Sequence, residues 1–116
     1  MENSNNHIEN RVSNLSGMIR GWYAGNFTPS VFRTDLFEAA VQRYKSGQTE
    51  PSHTHKIATE ITVIVTGEAS MNGVVYKEGD IVVINPGEIT DFVALTDVVT
   101  AVVKVPSIPN DKYIIE

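Results

Sequence analysis

The chain has no cysteine among its 116 residues. That excludes disulfides, thiolate zinc sites, iron–sulfur clusters and thiol nucleophiles, and leaves His, Asp and Glu as the side chains able to ligate a metal. Positive charge is also scarce: nine Lys and Arg stand against fourteen Asp and Glu, a formal net charge of −5. Arg33, Arg43, Lys45 and Lys56 occur singly, so no basic stripe is present to draw a phosphate backbone, and nucleic acid is not an expected partner. No apolar run approaches the ~18 residues of a membrane helix. Residues 1–14 are polar, with five asparagines, and no basic segment leads into an apolar one. A soluble, cytoplasmic protein without a membrane partner is therefore expected. Repeats of 20–50 residues, a Ser–His–Asp arrangement and a phosphate-cradling glycine loop are all missing.

What the sequence does contain is β-structure. From Trp22 onward, short runs of Val, Ile, Thr and aromatics are punctuated about every ten residues by Gly, Pro, Asn and Asp, the spacing of an all-β fold. Strands are predicted over residues 21–27, 36–45, 59–71, 74–76, 80–85, 90–95 and 98–105. Asn72-Gly73 between two apolar runs predicts a two-residue type I′ hairpin, which needs positive φ at both central positions. Before Trp22, residues 1–7 are expected to lack regular structure, with His7 solvated, and Ile8, Val12, Leu15, Met18 and Ile19 can form one short amphipathic turn or helix. The expected organisation is a polar N-terminal segment, 1–20, followed by one β-barrel domain, 21–116. Several strands are apolar on both faces, among them residues 61–65 and 81–84, where a sheet facing water would alternate. The outer face should be covered by the segment around Trp22 or by a second copy of the chain, and a homodimer is expected.

Two of the three histidines, His53 and His55, are one residue apart, so on an extended segment their imidazoles share a face. Glu60 follows five residues after His55, an odd spacing that sends it to the opposite face of a continuous strand, so convergence requires a turn or bulge across residues 56–59. Given that bend, His53, His55 and Glu60 form a 2-His-1-carboxylate set suited to a divalent transition metal: Fe, Mn, Ni or Zn. Arg43 and Tyr44 lie on the strand leading to this segment, and one of them should face inward, where it could bind a substrate. Trp22, Tyr23, Phe27 and Phe37 are candidates for a pocket wall or for plain core.

The pattern Gly47, five residues, His53, one residue, His55, four residues, Glu60, six residues, Gly67 resembles the first motif of the cupin superfamily. The run from Gly79 to Gly87 resembles the start of the second. The resemblance implies a double-stranded β-helix, or jelly roll, with a site in its mouth. It also implies a fourth histidine ligand at a position that is Thr90 here, while Asn85 and Ala94 depart from the motif as well. Thr90 would then orient a bound water. Asp91 becomes a possible fourth ligand only if a bulge follows Pro86-Gly87. Cupins host many functions. The expected function is binding of a divalent metal and a small polar metabolite, a carbohydrate or carboxylate, as a metal-dependent isomerase or oxygenase. The alternatives are a non-catalytic metabolite-binding module and a metal-free sugar isomerase or epimerase with a His base and a Tyr acid.

Overall fold

In the computed structural model, residues 8–116 are described; the expectation for residues 1–7 lies outside the described residues. The described residues form eleven strands: β1 (Trp22–Gly25), β2 (Phe32–Arg33), β3 (Glu38–Tyr44), β4 (Thr49–His55), β5 (Thr59–Thr66), β6 (Glu68–Met71), β7 (Val74–Lys77), β8 (Ile81–Ile84), β9 (Ile89–Ala94), β10 (Val98–Val105) and β11 (Lys112–Ile114). They build two sheets, one ordered β2-β1-β3-β10-β5-β8 and one ordered β11-β4-β9-β6-β7. Upstream, the amphipathic stretch divides into two short 3-10 turns, Ile8–Arg11 and Leu15–Gly17.

The strand predicted over residues 59–71 is broken at Gly67, and its two halves belong to different sheets. Gly67 has φ of +87°, and a Cβ there would collide with the Asp97 carbonyl. Only glycine fits this corner at no steric cost. The predicted hairpin is present: Asn72 and Gly73 have φ of 52° and 78°, and Met71 pairs with Val74.

Three strands escaped the propensity argument: β2, β4 and β11. The sequence of β4, Thr-Glu-Pro-Ser-His-Thr-His, is polar and contains a proline, which normally argues against a sheet interior. It pairs on both sides nevertheless, because a bulge accommodates Pro51. Glu50 lies opposite Phe92 and His53 opposite Thr90, so three steps on β4 match two on β9. That extra residue puts Glu50 and His53, which an unbroken strand would separate, on the same inner face.

Inside the barrel one end is sealed by Ile64, Ala69, Met71, Ile84, Phe92, Ala94 and Val98, with Tyr44, Tyr76 and Val82 packed against them. The outer face of the six-stranded sheet is different. Register places Val83, Ile61, Val103 and Ala39 in one row and Ile81, Val63, Ala101 and Val41 in the next. Ile61, Val65, Ile81 and Val83 are exposed there. The segment around Trp22 does not cover this face, because β1 extends the sheet beside β3 and the Trp22 side chain lines the interior. Among the described residues no helix is long and apolar enough to cross a membrane.

Candidate metal centre

At the open end, β4 delivers His53 and His55, and the chain then crosses over residues 56–58 to the opposite sheet, where β5 begins and presents Glu60. The odd spacing between His55 and Glu60 is thereby resolved by a change of sheet. Asp111 holds this crossover: its carboxylate accepts backbone N–H bonds from Lys56 at 3.0 Å, Ile57 at 3.2 Å and Ala58 at 2.9 Å. Burial pulls Asp111 upward, but these three N–H groups outweigh it and hold the carboxyl below its ordinary value.

One ligand atom from each of His53, His55 and Glu60 lies within 4.8 Å of the others. His53 Nδ1 contacts the Pro51 carbonyl at 2.9 Å. Because a carbonyl only accepts, Nδ1 carries the proton and Nε2 is left with its lone pair. This contact depends on the bulge that turns Pro51 back toward the ring. His55 Nε2 is buried and has no hydrogen-bond partner, a costly condition for a polar atom. Burial, followed by the nearby Lys104 and His53, lowers the His55 pKa to about 4, which keeps the imidazole neutral and able to donate a lone pair. Thr62 Oγ1 donates to one Glu60 oxygen at 3.0 Å, orienting the carboxylate as outer-shell partners do at metal sites. The donor set fits a divalent transition metal on each of these counts.

Thr90 is buried and directly across from His53. Its hydroxyl donates to the Asp91 carbonyl. Asp91 is turned to the hairpin, where its carboxylate accepts the Asn72 N–H at 2.7 Å and its own N–H donates to Asn72 Oδ1. The irregularity in this strand pair falls at Pro51 on β4, so no bulge after Pro86-Gly87 brings Asp91 inward. Of the two residues on β3, Tyr44 faces inward and Arg43 is exposed. The Tyr44 hydroxyl lies 2.9 Å from Glu50 and 3.0 Å from Gln42; burial and then the Glu50 carboxylate push its pKa up.

Several charged groups around this space were not marked by any motif. Arg20 donates to both Glu50 oxygens at 2.7 Å. Burial raises the Glu50 pKa, but Tyr44, Arg20 and Lys112 outweigh it and hold the carboxyl below its ordinary value. Lys104 occupies the row between Glu38 and Glu60. Burial pulls its pKa down, while Glu60 and Glu38 oppose that pull. Alternation along β10 carries the signal, since Val98, Thr100, Val102 and Lys104 share one parity and the first three are buried.

Solved structures resemble this chain in fold. A Klebsiella pneumoniae protein with a double-stranded β-helix domain matches at TM-score 0.67 and 21% identity, covering 100% of this chain and 98% of that one. An RmlC-like cupin from Shewanella frigidimarina matches at TM-score 0.61 and 21% identity, over 66% of this chain and 72% of its own. This chain has the cupin fold. The DMSP lyase DddQ from Ruegeria pomeroyi shares that fold at TM-score 0.63 and 20% identity, over 85% of this chain and 54% of its own. No family model and no curated sequence matches the chain.

Proposed function

We propose that His53, His55 and Glu60 bind a divalent transition metal and that the protein acts on a small polar metabolite, a carbohydrate or carboxylate, at that metal. The observation that carries this reading is the orphaned His55 Nε2, buried without a partner within reach of the His53 and Glu60 donors. A bound metal satisfies that atom, and three protein ligands leave coordination positions open for a metabolite. Such an ion would supply Lewis-acid polarisation or an activated water. The chain itself contributes a fixed His53 tautomer, a Glu60 oriented by Thr62 and a crossover held by Asp111. An isomerase or an oxygenase suits this open site. A metal-free scheme with Tyr44 as acid is less favoured, because the Tyr44 hydroxyl is engaged by Glu50 and Gln42. Elemental analysis of protein purified without a histidine tag tests the reading. A near-stoichiometric transition metal that disappears in His53→Ala/His55→Ala supports it, and unchanged metal content in that variant overturns it.

We further propose that a second copy of the chain covers the apolar rows on the outer face of the six-stranded sheet, which β1 leaves open. A contiguous apolar surface of this kind is uncommon on a soluble monomer. Sedimentation at micromolar concentration should give twice the 12.8 kDa chain mass, and Ile61→Lys/Val83→Lys should return it to the monomer; a wild-type monomer at that concentration rules the dimer out.

A further inference from the structure

Lys104 is a cation without an ion pair. Among the described residues no carboxylate oxygen comes within 4.0 Å of its ammonium group and no acceptor binds it, although Glu38 and Glu60 occupy the neighbouring register positions on either side. Its ammonium group lies over the face of Trp22, 4.8 Å from the ring centroid. A half-buried ammonium in such a place loses water without gaining an ion pair, and that is unfavourable unless something else supplies the negative charge. Lys112 stands beside the same space, and among the described residues its one ion-pair contact is a 3.8 Å approach to Glu50, a carboxylate already held by Arg20 and Tyr44.

Both lysines line two neighbouring cavities. The inner chamber, about 100 Å³, also presents His53 and Glu60. The outer vestibule, about 460 Å³, presents His55 and Glu38. A ligand held in either space lies against both ammonium groups and beside one of the metal-binding histidines. The charge balance points the same way. Arg20 is neutralised by Glu50, and Asp111 is occupied by three backbone N–H groups. Once Glu60 is given to a divalent ion, Arg20, Lys104 and Lys112 face two carboxylates, Glu38 and Glu50.

We propose that Lys104 and Lys112 form a recognition site for the carboxylate group of a small organic anion that enters beside the His53–His55–Glu60 group. This rests on the metal reading above and narrows its substrate to carboxylates. Phosphate is the poorer fit. Among the described residues the one guanidinium lining the chamber, Arg20, is exposed and reaches Glu50 through Nη2 alone; the cations there exceed the carboxylates by about one charge, which a single carboxylate matches and a phosphate, at about −1.5 to −2, overshoots.

The chain has one tryptophan, and it lies under Lys104, so its fluorescence reports on this space directly. The test titrates malonate, inorganic phosphate and glucose into zinc-loaded and metal-stripped protein while following Trp22 emission, with zinc affinity measured separately by calorimetry. Saturable malonate binding is expected, at least tenfold tighter than phosphate, with no glucose response, and at least tenfold tighter with zinc than without. Lys104→Met should weaken malonate at least tenfold while zinc still binds; Lys104→Arg should recover part of the loss, and Lys112→Met should give a smaller one. The proposal is overturned if zinc binds but Lys104→Met and Lys112→Met both leave malonate affinity within twofold, or if phosphate or glucose binds more tightly. If zinc does not bind while malonate still depends on Lys104, the carboxylate site stands and the metal reading falls.

Discussion

At one end of the barrel Ile64 and Val98 are wholly buried and Phe92 packs against Tyr44 at 4.6 Å between ring centroids. A few residues along the same strands, Glu60, Lys104 and His53 occupy the equivalent inward positions at the other end. The difference teaches where stability and function reside. Apolar side chains that exclude water hold the two sheets together at the sealed end. That closure allows the open end to carry unpaired polar atoms, a lysine without an ion pair and a bulged strand, features that cost stability and that recur at functional sites. Truncation at the two ends should therefore have opposite signatures. Ile64→Ala should lower the unfolding free energy by about 3–4 kcal/mol, the range for a large-to-small change in a closed core, with zinc affinity of the folded protein nearly unchanged. His53→Ala/His55→Ala should abolish zinc binding with a smaller stability loss, about 1–2 kcal/mol, since the orphaned nitrogen leaves with the ring while the buried ring volume and the His53 hydrogen bond to Pro51 are lost. Chemical denaturation and calorimetry on both variants measure the contrast, and a large stability loss in the histidine variant would erase it.

The ends should also separate on titration. In metal-stripped protein His55 has a folded-state pKa of about 4 against an ordinary 6.5, so the unfolded chain takes up the proton first. Stability attached to the neutral ring is fully present above about pH 6.5 and is lost as pH falls toward 4. The shift corresponds to a loss on the order of 2–3 kcal/mol. Denaturation midpoints between pH 7.5 and 4 should show this slope in the wild type, and His55→Gln should flatten it; an equal slope in the two would assign the effect to other groups.

Asp111 joins the open end to the C-terminal segment, and its replacement tests how independent that end is. Asp111→Ala strands the N–H groups of Lys56, Ile57 and Ala58, which should cost about 2 kcal/mol. It also loosens the crossover that aligns His55 with Glu60, and outer-shell losses at metal sites commonly weaken binding about 10–100-fold. Asp111→Asn keeps one acceptor oxygen and should fall between the two. If zinc affinity stays at the wild-type value while stability drops, Asp111 supports the fold without positioning the ligands.

Much of this arrangement was legible in the sequence, and the gaps have physical causes. Apolar alternation located β1, β3, β5 and the strands from β7 to β10, and Asn72-Gly73 placed their tightest hairpin. The His53–His55–Glu60 grouping followed from parity plus a required turn. What escaped was set by backbone irregularity and distant contacts. Pro51 reads as a strand breaker, and only the pairing of β4 with β9 shows it to be a bulge that turns Glu50 and His53 inward. Asp111 is fifty-three residues from Ala58, and no local pattern announces its role as a clamp. Lys104 was visible in principle, as a charge at the inward parity of an otherwise apolar strand.

The smallest expected effect concerns the position where the sequence departs from the cupin pattern. Thr90 is buried and paired with His53 across the strands, and directly opposed residues have Cβ atoms about 4.5–5.5 Å apart. An imidazole at position 90 would therefore project beside His53 toward the same ion. Restoring a fourth nitrogen ligand should tighten zinc about tenfold, equivalent to about 1.4 kcal/mol, and should close one of the positions left for a metabolite. Thr90→His should accordingly weaken malonate while strengthening zinc, a reciprocal change that simple crowding of the chamber would not produce, because crowding weakens malonate without tightening the metal. Asp91 supplies the control. Its carboxylate receives the Asn72 N–H, so Asp91→Ala should cost about 1 kcal/mol at the hairpin and leave zinc affinity alone. Should Asp91→Ala weaken zinc sharply while Thr90→His does nothing, strand β9 places its fourth ligand one residue further on, and the open position assigned to the metabolite is already filled by the protein.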